Sequence, residues 1–373
     1  MENGFVNTSG SNDLSHMNEY GISSEKTNHL KAVALIFMFF HHFFGCNSHL
    51  KLPQNEWISL FPELFAFYCE SLKICISIFL FCTGYGIYKS YFSRKNSKTY
   101  ILKRLVKLFI PYWTVMALTI FYLCFAGKFV PQYLFDNLFT LINDDRILYV
   151  SFSWYIKLYM CLILLAPVIK CIENRIKRNI LLDIALFIVV PTVIGILLSK
   201  YNCDFYYENI IWYLLSTISQ VFLRLPVFSM GLIFAKYDIY GWIRKKTERI
   251  PKWLLILVSF VCCFCVIGFR GLFNFYPISD TVYSPIFIVP FLLIYDSIRW
   301  KSKFVIPYIG KHSIFYWLLS GLFFVNTSEL QFILYLPKYA LLVMIWAFLI
   351  ITPFVYLCDW ISSKILNLIC RKL

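Results

Sequence analysis

HLKAVALIFMFFHHFFG, residues 29–45, decides how this chain is read. The stretch is apolar enough to enter a bilayer, yet it carries Lys31 near one end and the adjacent pair His41 and His42 near the other. Ionisable groups inside hydrocarbon are costly, which makes them candidates for a functional site. His42 follows Lys31 by eleven residues. At ~100° per residue the two share a helix face to within roughly 20°, about 16 Å apart along the axis. His41 points roughly 100° away from that face. A cation at the surface and an imidazole deep in the same groove suit a site that holds an anion and reaches inward. The alternative is that both histidines are packing residues bonded to neighbouring carbonyls.

This segment is the first of ten apolar stretches, near residues 30–47, 64–88, 105–127, 147–169, 180–199, 211–235, 252–270, 281–298, 304–325 and 332–358. Each approaches the ~20 residues that a helix needs to cross hydrocarbon. The 373-residue chain is 60% hydrophobic and 15% charged, with mean hydropathy +0.67, whereas soluble domains are about half apolar and about a quarter charged. The expected fold is therefore all-α: a polytopic membrane helix bundle of about ten transmembrane helices, not a soluble domain. Residues 1–26 are polar and aperiodic and read as a disordered tail, leaving 27–373 as a single membrane domain. No basic segment with a short apolar core opens the chain, so a cleaved signal peptide is not expected. No internal repeat is visible.

A net charge of +15 would suit nucleic acid in a soluble protein, but here the basic residues gather in alternate short loops. Lys89, Arg94, Lys95, Lys98, Lys103 and Arg104 fill one, and Lys170, Arg175, Lys177 and Arg178 the next of that set. Lys236, Arg244, Lys245, Lys246, Arg249 and Lys252 follow, then Arg299, Lys301 and Lys303. The intervening loops hold Glu56, Asp136, Asp144, Asp145, Asp204, Glu208, Asp280 and Glu329. Basic loops stay in the cytoplasm, so both termini are expected there and nucleic acid is not expected as a partner. The thirteen cysteines fall mostly within spans, where a thiol behaves as a small hydrophobe. No loop spacing resembles a zinc site, and no metal is expected. A disulfide between Cys46 and Cys203 stays an open alternative. Pro167, Pro191, Pro226, Pro285, Pro290 and Pro353 should kink several helices.

Further stretches stand out in order along the chain: ICISIFLFCTGYGIYKS (74–90), YILKRLVKLFIPYW (100–113), SWYIKLYM (153–160), RLPVFSMG (224–231) and IPYIGKHSIFYWLL (306–319). Together with residues 29–45 they resemble the acyltransferase 3 family, membrane enzymes that acylate hydroxyls, mostly on cell-surface glycans. Lys31 stands where that family usually has the Arg of its Arg, ten residues, His motif, and His42 falls on its catalytic histidine. Thr83 replaces the serine of a Ser-Gly-Tyr-Gly run, while Gly84, Tyr85 and Gly86 match. Arg104, Pro111 and Tyr112 match a basic segment ending in Pro-Tyr, and Lys107 stands at a usual Arg. The last stretch resembles a late Gly-x-x-Ser run before a Trp-Leu pair. Two departures matter. Lysine lacks the bidentate fork of arginine, and Ser320 occupies a position where many members carry a second histidine.

The resemblance implies an O-acyltransferase with acetyl-CoA as donor, a glycan or glycolipid as acceptor, and the bacterial plasma membrane as its place. Such chemistry needs a base near the hydroxyl and stabilisation of the oxyanion. A neutral imidazole at His42 would be available as that base. Lys31, Arg104 and Lys107 would meet the donor's phosphates at the cytoplasmic mouth; for Arg104 and Lys107 charge alone favours cytoplasmic anchoring, and the motif context brings the two readings level. Glu70, Trp154 and Arg224 are acceptor-binding candidates. Against them stand a Glu70–Lys73 pair on one helix face, an interfacial belt for Trp154 and Tyr155, and a structural partner for Arg224. Gly84 and Gly86 point to close helix packing or a helix break, and His312 to a polar helix end. The alternative function is a transporter or flippase for a glycan or lipid intermediate, with His41, His42, Glu70 and Arg224 as relay groups. Transporters commonly show paired repeats. An assembly factor without chemistry is the third reading.

The charge alternation makes a direct prediction. A reporter fused after Lys95, Lys245 or Lys372 should be cytoplasmic, and one near Asp144 or Asp204 exterior. Exterior reporters protected from an impermeant reagent would remove this topology.

Overall fold

A computed structural model describes residues 21–45, 62–92, 99–140, 149–150, 154–176, 179–199, 210–273, 275–298, 304–324, 328–337 and 339–370. Among these residues the secondary structure is helical throughout, with no strand. Helix α1, Ser24–Phe40, runs on into a π turn, His41–Gly45. It is followed by α2, Glu63–Phe92; α3, Tyr100–Phe125; α4, Trp154–Arg175; and α5, Ile180–Ser199. Next come α6, Ile210–Tyr237; α7, Ile239–Thr247; α8, Lys252–Leu272; and α9, Asp280–Ile298. The chain closes with α10, Val305–Lys311; α11, Ser313–Phe324; α12, Ser328–Leu334; and α13, Ala340–Cys370.

Eight described helices are long and apolar enough to cross a membrane: α2 to α6, α8, α9 and α13. The protein is thus an all-α polytopic helix bundle. The other two expected spans are built differently. The first is α1 with its π turn. The ninth is broken at His312, whose N–H bonds the Tyr308 carbonyl at 3.0 Å to close α10 before α11 begins. The tenth lies at Ala340–Cys370 rather than 332–358. Pro337 cannot continue a helix, so the apolar run divides into short α12 and long α13. At the other end Ser23 caps α1, its Oγ accepting from the Lys26 N–H at 3.2 Å. Ser24, Glu25 and Lys26, which composition assigns to the tail, therefore belong to the bundle. Lys26 is held by Asp296 at 2.9 Å. Residues 1–20, the loop acids Glu56, Asp144, Asp145, Asp204 and Glu208, and the pair Cys46 and Cys203 lie outside the described residues.

The centre of the bundle is the crossing of α2 and α6. A Cβ built on Gly84 would lie 1.9 Å from the Phe228 carbonyl oxygen, and one on Gly231 2.1 Å from that of Phe81. The two backbones therefore touch, which only glycine permits. Of the two glycines in this run, Gly84 makes the close approach while Gly86 faces open space. Phe81 and Phe228 fill the layer beside the contact and are fully buried. At the periphery, α8 turns Leu257, Phe260, Val261 and Phe264 outward, the side chains expected on a lipid-facing surface.

Charges inside the bundle are mostly neutralised by partners. Arg270 grips Asp280 with both arms, at 2.7 and 3.2 Å, and donates to the Ser71 carbonyl at 2.8 Å. Ser77 completes the carboxylate at 2.7 Å. Asp280 is therefore not a loop acid but fully buried. Lys236 of α6 bridges Asp183 at 2.8 Å and Glu173 at 3.1 Å. Pro111, Pro167, Pro226, Pro285, Pro290 and Pro353 all lie inside helices. Pro191 has no N–H for the ladder, and a π segment, Ala185–Val189, absorbs the irregularity just before it.

Gly84→Val and Gly231→Val should each cost more than the 1–3 kcal/mol of ordinary overpacking, because the obstacle is backbone. Both should lose the monodisperse peak in detergent size-exclusion chromatography. Gly86→Ala should elute and melt like the parent. Equal behaviour of Gly84→Val and Gly86→Ala would deny the crossing its central role.

Candidate active site

Three features built by this crossing carry chemical groups. The first is a cavity of about 640 Å³ among α1, α2, α3, α4 and the α10–α11 break. Lys31, Lys103, Arg104, Lys107 and Lys311 line it, and no carboxylate among the described residues does. Lys103, Arg104 and Lys107 reach it together because three- and four-residue steps share a helix face. Arg104 is aimed by the Tyr100 hydroxyl at 2.9 Å and by Ser90 Oγ at 3.3 Å. Lys311 arrives because Gly310 presses its backbone against Asn28: a Cβ there would sit 1.8 Å from the Asn28 oxygen. The floor is aromatic. Tyr155 meets Trp317 edge-on at 4.3 Å, and Phe79 stacks on the same indole at 6.1 Å. Thr83 is also on the wall, its hydroxyl tied to the Phe79 carbonyl at 2.8 Å.

The second is a cavity of about 260 Å³ lined by Trp154, Lys157, Leu158, Ser216, Thr217, Gln220, Val221 and Arg224. Helix periodicity divides α4 between the two: Trp154, Lys157 and Leu158 face this cavity, while Tyr155, Ile156 and Tyr159 face the larger one. The Arg224 guanidinium lies 5.2 Å over the Trp154 ring and 5.4 Å over that of Tyr276.

The third is the histidine turn. The face expected for His42 presumes a regular α-helix, but the chain opens into a π turn at His41, changing the angular step there. Such π turns recur at functional sites. Gly45 ends the turn against α2, where a Cβ would lie 2.6 Å from the Glu70 nitrogen. His41 is buried and its Nδ1 lies 3.3 Å from the Cys69 carbonyl. His42 is half-buried with its ring 5.0 Å from that of His41.

Lys31, Arg104 and Lys107 are thus brought together, and so, separately, are Trp154 and Arg224. His42 is not among the residues lining either cavity. Glu70 is exposed and makes no ion pair among the described residues; the Lys73 ammonium instead lies 4.6 Å over the Tyr276 ring. His312 does more than end a helix: it is buried with Nδ1 3.4 Å from Asp359, clipping the break to α13. Sequence reasoning missed the cavity roles of Lys103, Lys311 and Lys157. The four-residue step from Lys103 to Lys107 was the one signal available for the first. Tyr276, under three cations including Arg270 at 5.5 Å, had none.

Fold and site together define an integral membrane helix bundle with an open cationic cavity. A family model described as an acyltransferase domain, Acyl_transf_3, matches residues 26–363. The chain belongs to the acyltransferase 3 family and is a membrane acyltransferase, as the ordered motifs imply. The transporter alternative has no comparable support. No curated protein and no solved structure matches the chain.

Proposed function

We propose that the protein transfers an acetyl group from acetyl-CoA to a hydroxyl of a cell-surface polysaccharide or its precursor. On this reading it lies in a bacterial plasma membrane with both termini cytoplasmic, and the donor enters at the mouth of the larger cavity. One observation carries the donor assignment: among the described residues, five cations and no carboxylate line that cavity. Unmatched positive charge beside an apolar interior favours a multiply anionic ligand, and the several phosphates of acetyl-CoA provide one. Arg104, with its guanidinium held by Tyr100 and Ser90, offers the fork that phosphate prefers, and the lysines add point charges.

His42 is the proposed base. The acceptor hydroxyl oxygen attacks the thioester carbonyl, His42 takes its proton, the carbon–sulfur bond breaks, and the proton passes to the leaving thiolate. His42 stands in the π turn eleven residues beyond Lys31, which suits a donor bound by its phosphates at one end and reacting at the end of its long pantetheine arm. His41, bonded to Cys69, serves packing. The test is transfer from labelled acetyl-CoA by the purified chain across a panel of glycans, with hydrolysis as background; no donor turnover with any acceptor would refute the reading.

Lys31→Ala should raise the apparent donor KM, since one charge-assisted contact is worth roughly 1.5–3 kcal/mol, and should change kcat less. Lys31→Arg should match or better the parent. Unchanged donor saturation in Lys31→Ala would dismiss its role.

The histidines separate further. His42→Ala should lower transfer by about 10²–10⁴-fold with normal insertion. His41→Ala should keep most activity per folded molecule while melting earlier. A dead His41→Ala beside an active His42→Ala would place the base elsewhere.

A further inference from the structure

We propose that the smaller cavity is the acceptor subsite and that it selects an anionic sugar, one bearing a phosphate or a carboxylate close to the acylated hydroxyl. The name acceptor rests on the acyltransferase reading above; the anion binding does not.

The inference starts from Arg224. It sits within an apolar span and is 8% exposed. Its partners are all neutral: the Gln220 side chain, the Gln220 carbonyl at 3.4 Å, and the Tyr276 hydroxyl at 3.0 Å. Among the described residues its Nε has no hydrogen-bond partner and no carboxylate pairs with it. Two aromatic rings flank the guanidinium at 5.2 and 5.4 Å without cancelling its charge. Arg270 shows the usual solution, a bidentate grip on Asp280. An arginine kept charged, oriented and without a counter-ion in this setting is costly, and an arriving oxyanion would offset that cost. Among the described residues the cavity it lines adds a second cation, Lys157, and no acid. Ser216, Thr217 and Gln220 supply the hydroxyls and amide that suit a sugar ring. At about 260 Å³, the space falls just under the ~300 Å³ lower bound of drug-sized pockets. It therefore fits one sugar with its charged group rather than an extended chain.

The anion has two sources with one chemistry: the phosphate linking a sugar to a lipid carrier, or the carboxylate of an acidic sugar. Equilibrium binding to the purified full-length protein, without acetyl-CoA, tests the proposal. The probes are a short isoprenyl-phosphate-linked monosaccharide, methyl glucuronide, neutral methyl glucoside and phosphatidylglycerol. At least one anionic sugar should bind measurably better than the glucoside, and which one does so identifies the source. Arg224→Gln should weaken that binding about tenfold or more and Lys157→Gln several-fold. Lys245→Gln, an equal charge loss at an exposed site, should change nothing. If Arg224→Gln fails to fold, Lys157→Gln and the probe comparison decide. The proposal is overturned if no anionic sugar exceeds the glucoside or if the cavity variants bind unchanged. It is also overturned if phosphatidylglycerol alone binds as well as the sugars, which would mark a lipid headgroup site. Anionic sugar binding without acetyl transfer would instead overturn only the proposed function.

Discussion

The contact between the backbones of Gly84 and Gly231 positions everything else in this bundle. Lipid tails are as apolar as leucine, so helices in a membrane gain little by hiding apolar side chains from it, and close van der Waals approach takes over. Removing both side chains at one crossing lets α2 and α6 meet main chain to main chain. Thr83 and Phe79, one and five residues before Gly84, are thereby fixed on the wall of the larger cavity. Arg224, two turns before Gly231, is fixed on the wall of the smaller one. The distance between the chemical groups is set where there is no side chain to flex.

Three treatments of charge in this fold differ in an informative way. Lys26, Lys236 and Arg270 each meet a carboxylate from another part of the chain, and in doing so tie α1 to α9, α5 to α6 and α8 to α9. Arg224 is surrounded by rings and neutral oxygens. Lys31 and its companions surround open space. Pairing accounts for the first group as architecture. The other two keep their charge available to a ligand, and they divide cleanly between the two cavities.

Much of this was legible in the sequence, for identifiable reasons. Apolar length and loop charge depend on local composition, so the bundle and most spans could be read directly. Lys31, Arg104 and Lys107 could be grouped because ordered motifs mark them, and Trp154 with Arg224 because a polar group in a span demands explanation. The breaks were not legible. A π turn at His41 and a helix stop at His312 arise from packing against α2 and α13, partners that no local window contains. Asp280 reads as a loop acid from charge alone, and only the fold shows Arg270 and Ser77 closing on it. Glu70 and Lys73 had the right spacing for a pair, but Tyr276, some two hundred residues away, receives the lysine instead.

The first turns of α4 then connect the two cavities. Residues 154, 157 and 158 line one cavity and 155, 156 and 159 the other, so a single helix is the partition between them. An α-helix with its side chains is about 10–12 Å thick, too thick for a hydroxyl and a thioester on opposite sides to react through it. On the proposed reading the reacting groups cannot meet through it, so a path between the two cavities has to run around α4. Trp154 is the residue whose ring holds Arg224, and Tyr155 the one whose ring rests on Trp317. The same two side chains each brace one cavity from this shared helix, which gives the adjacent aromatics a reason to be rigid that a membrane-interface belt would not require.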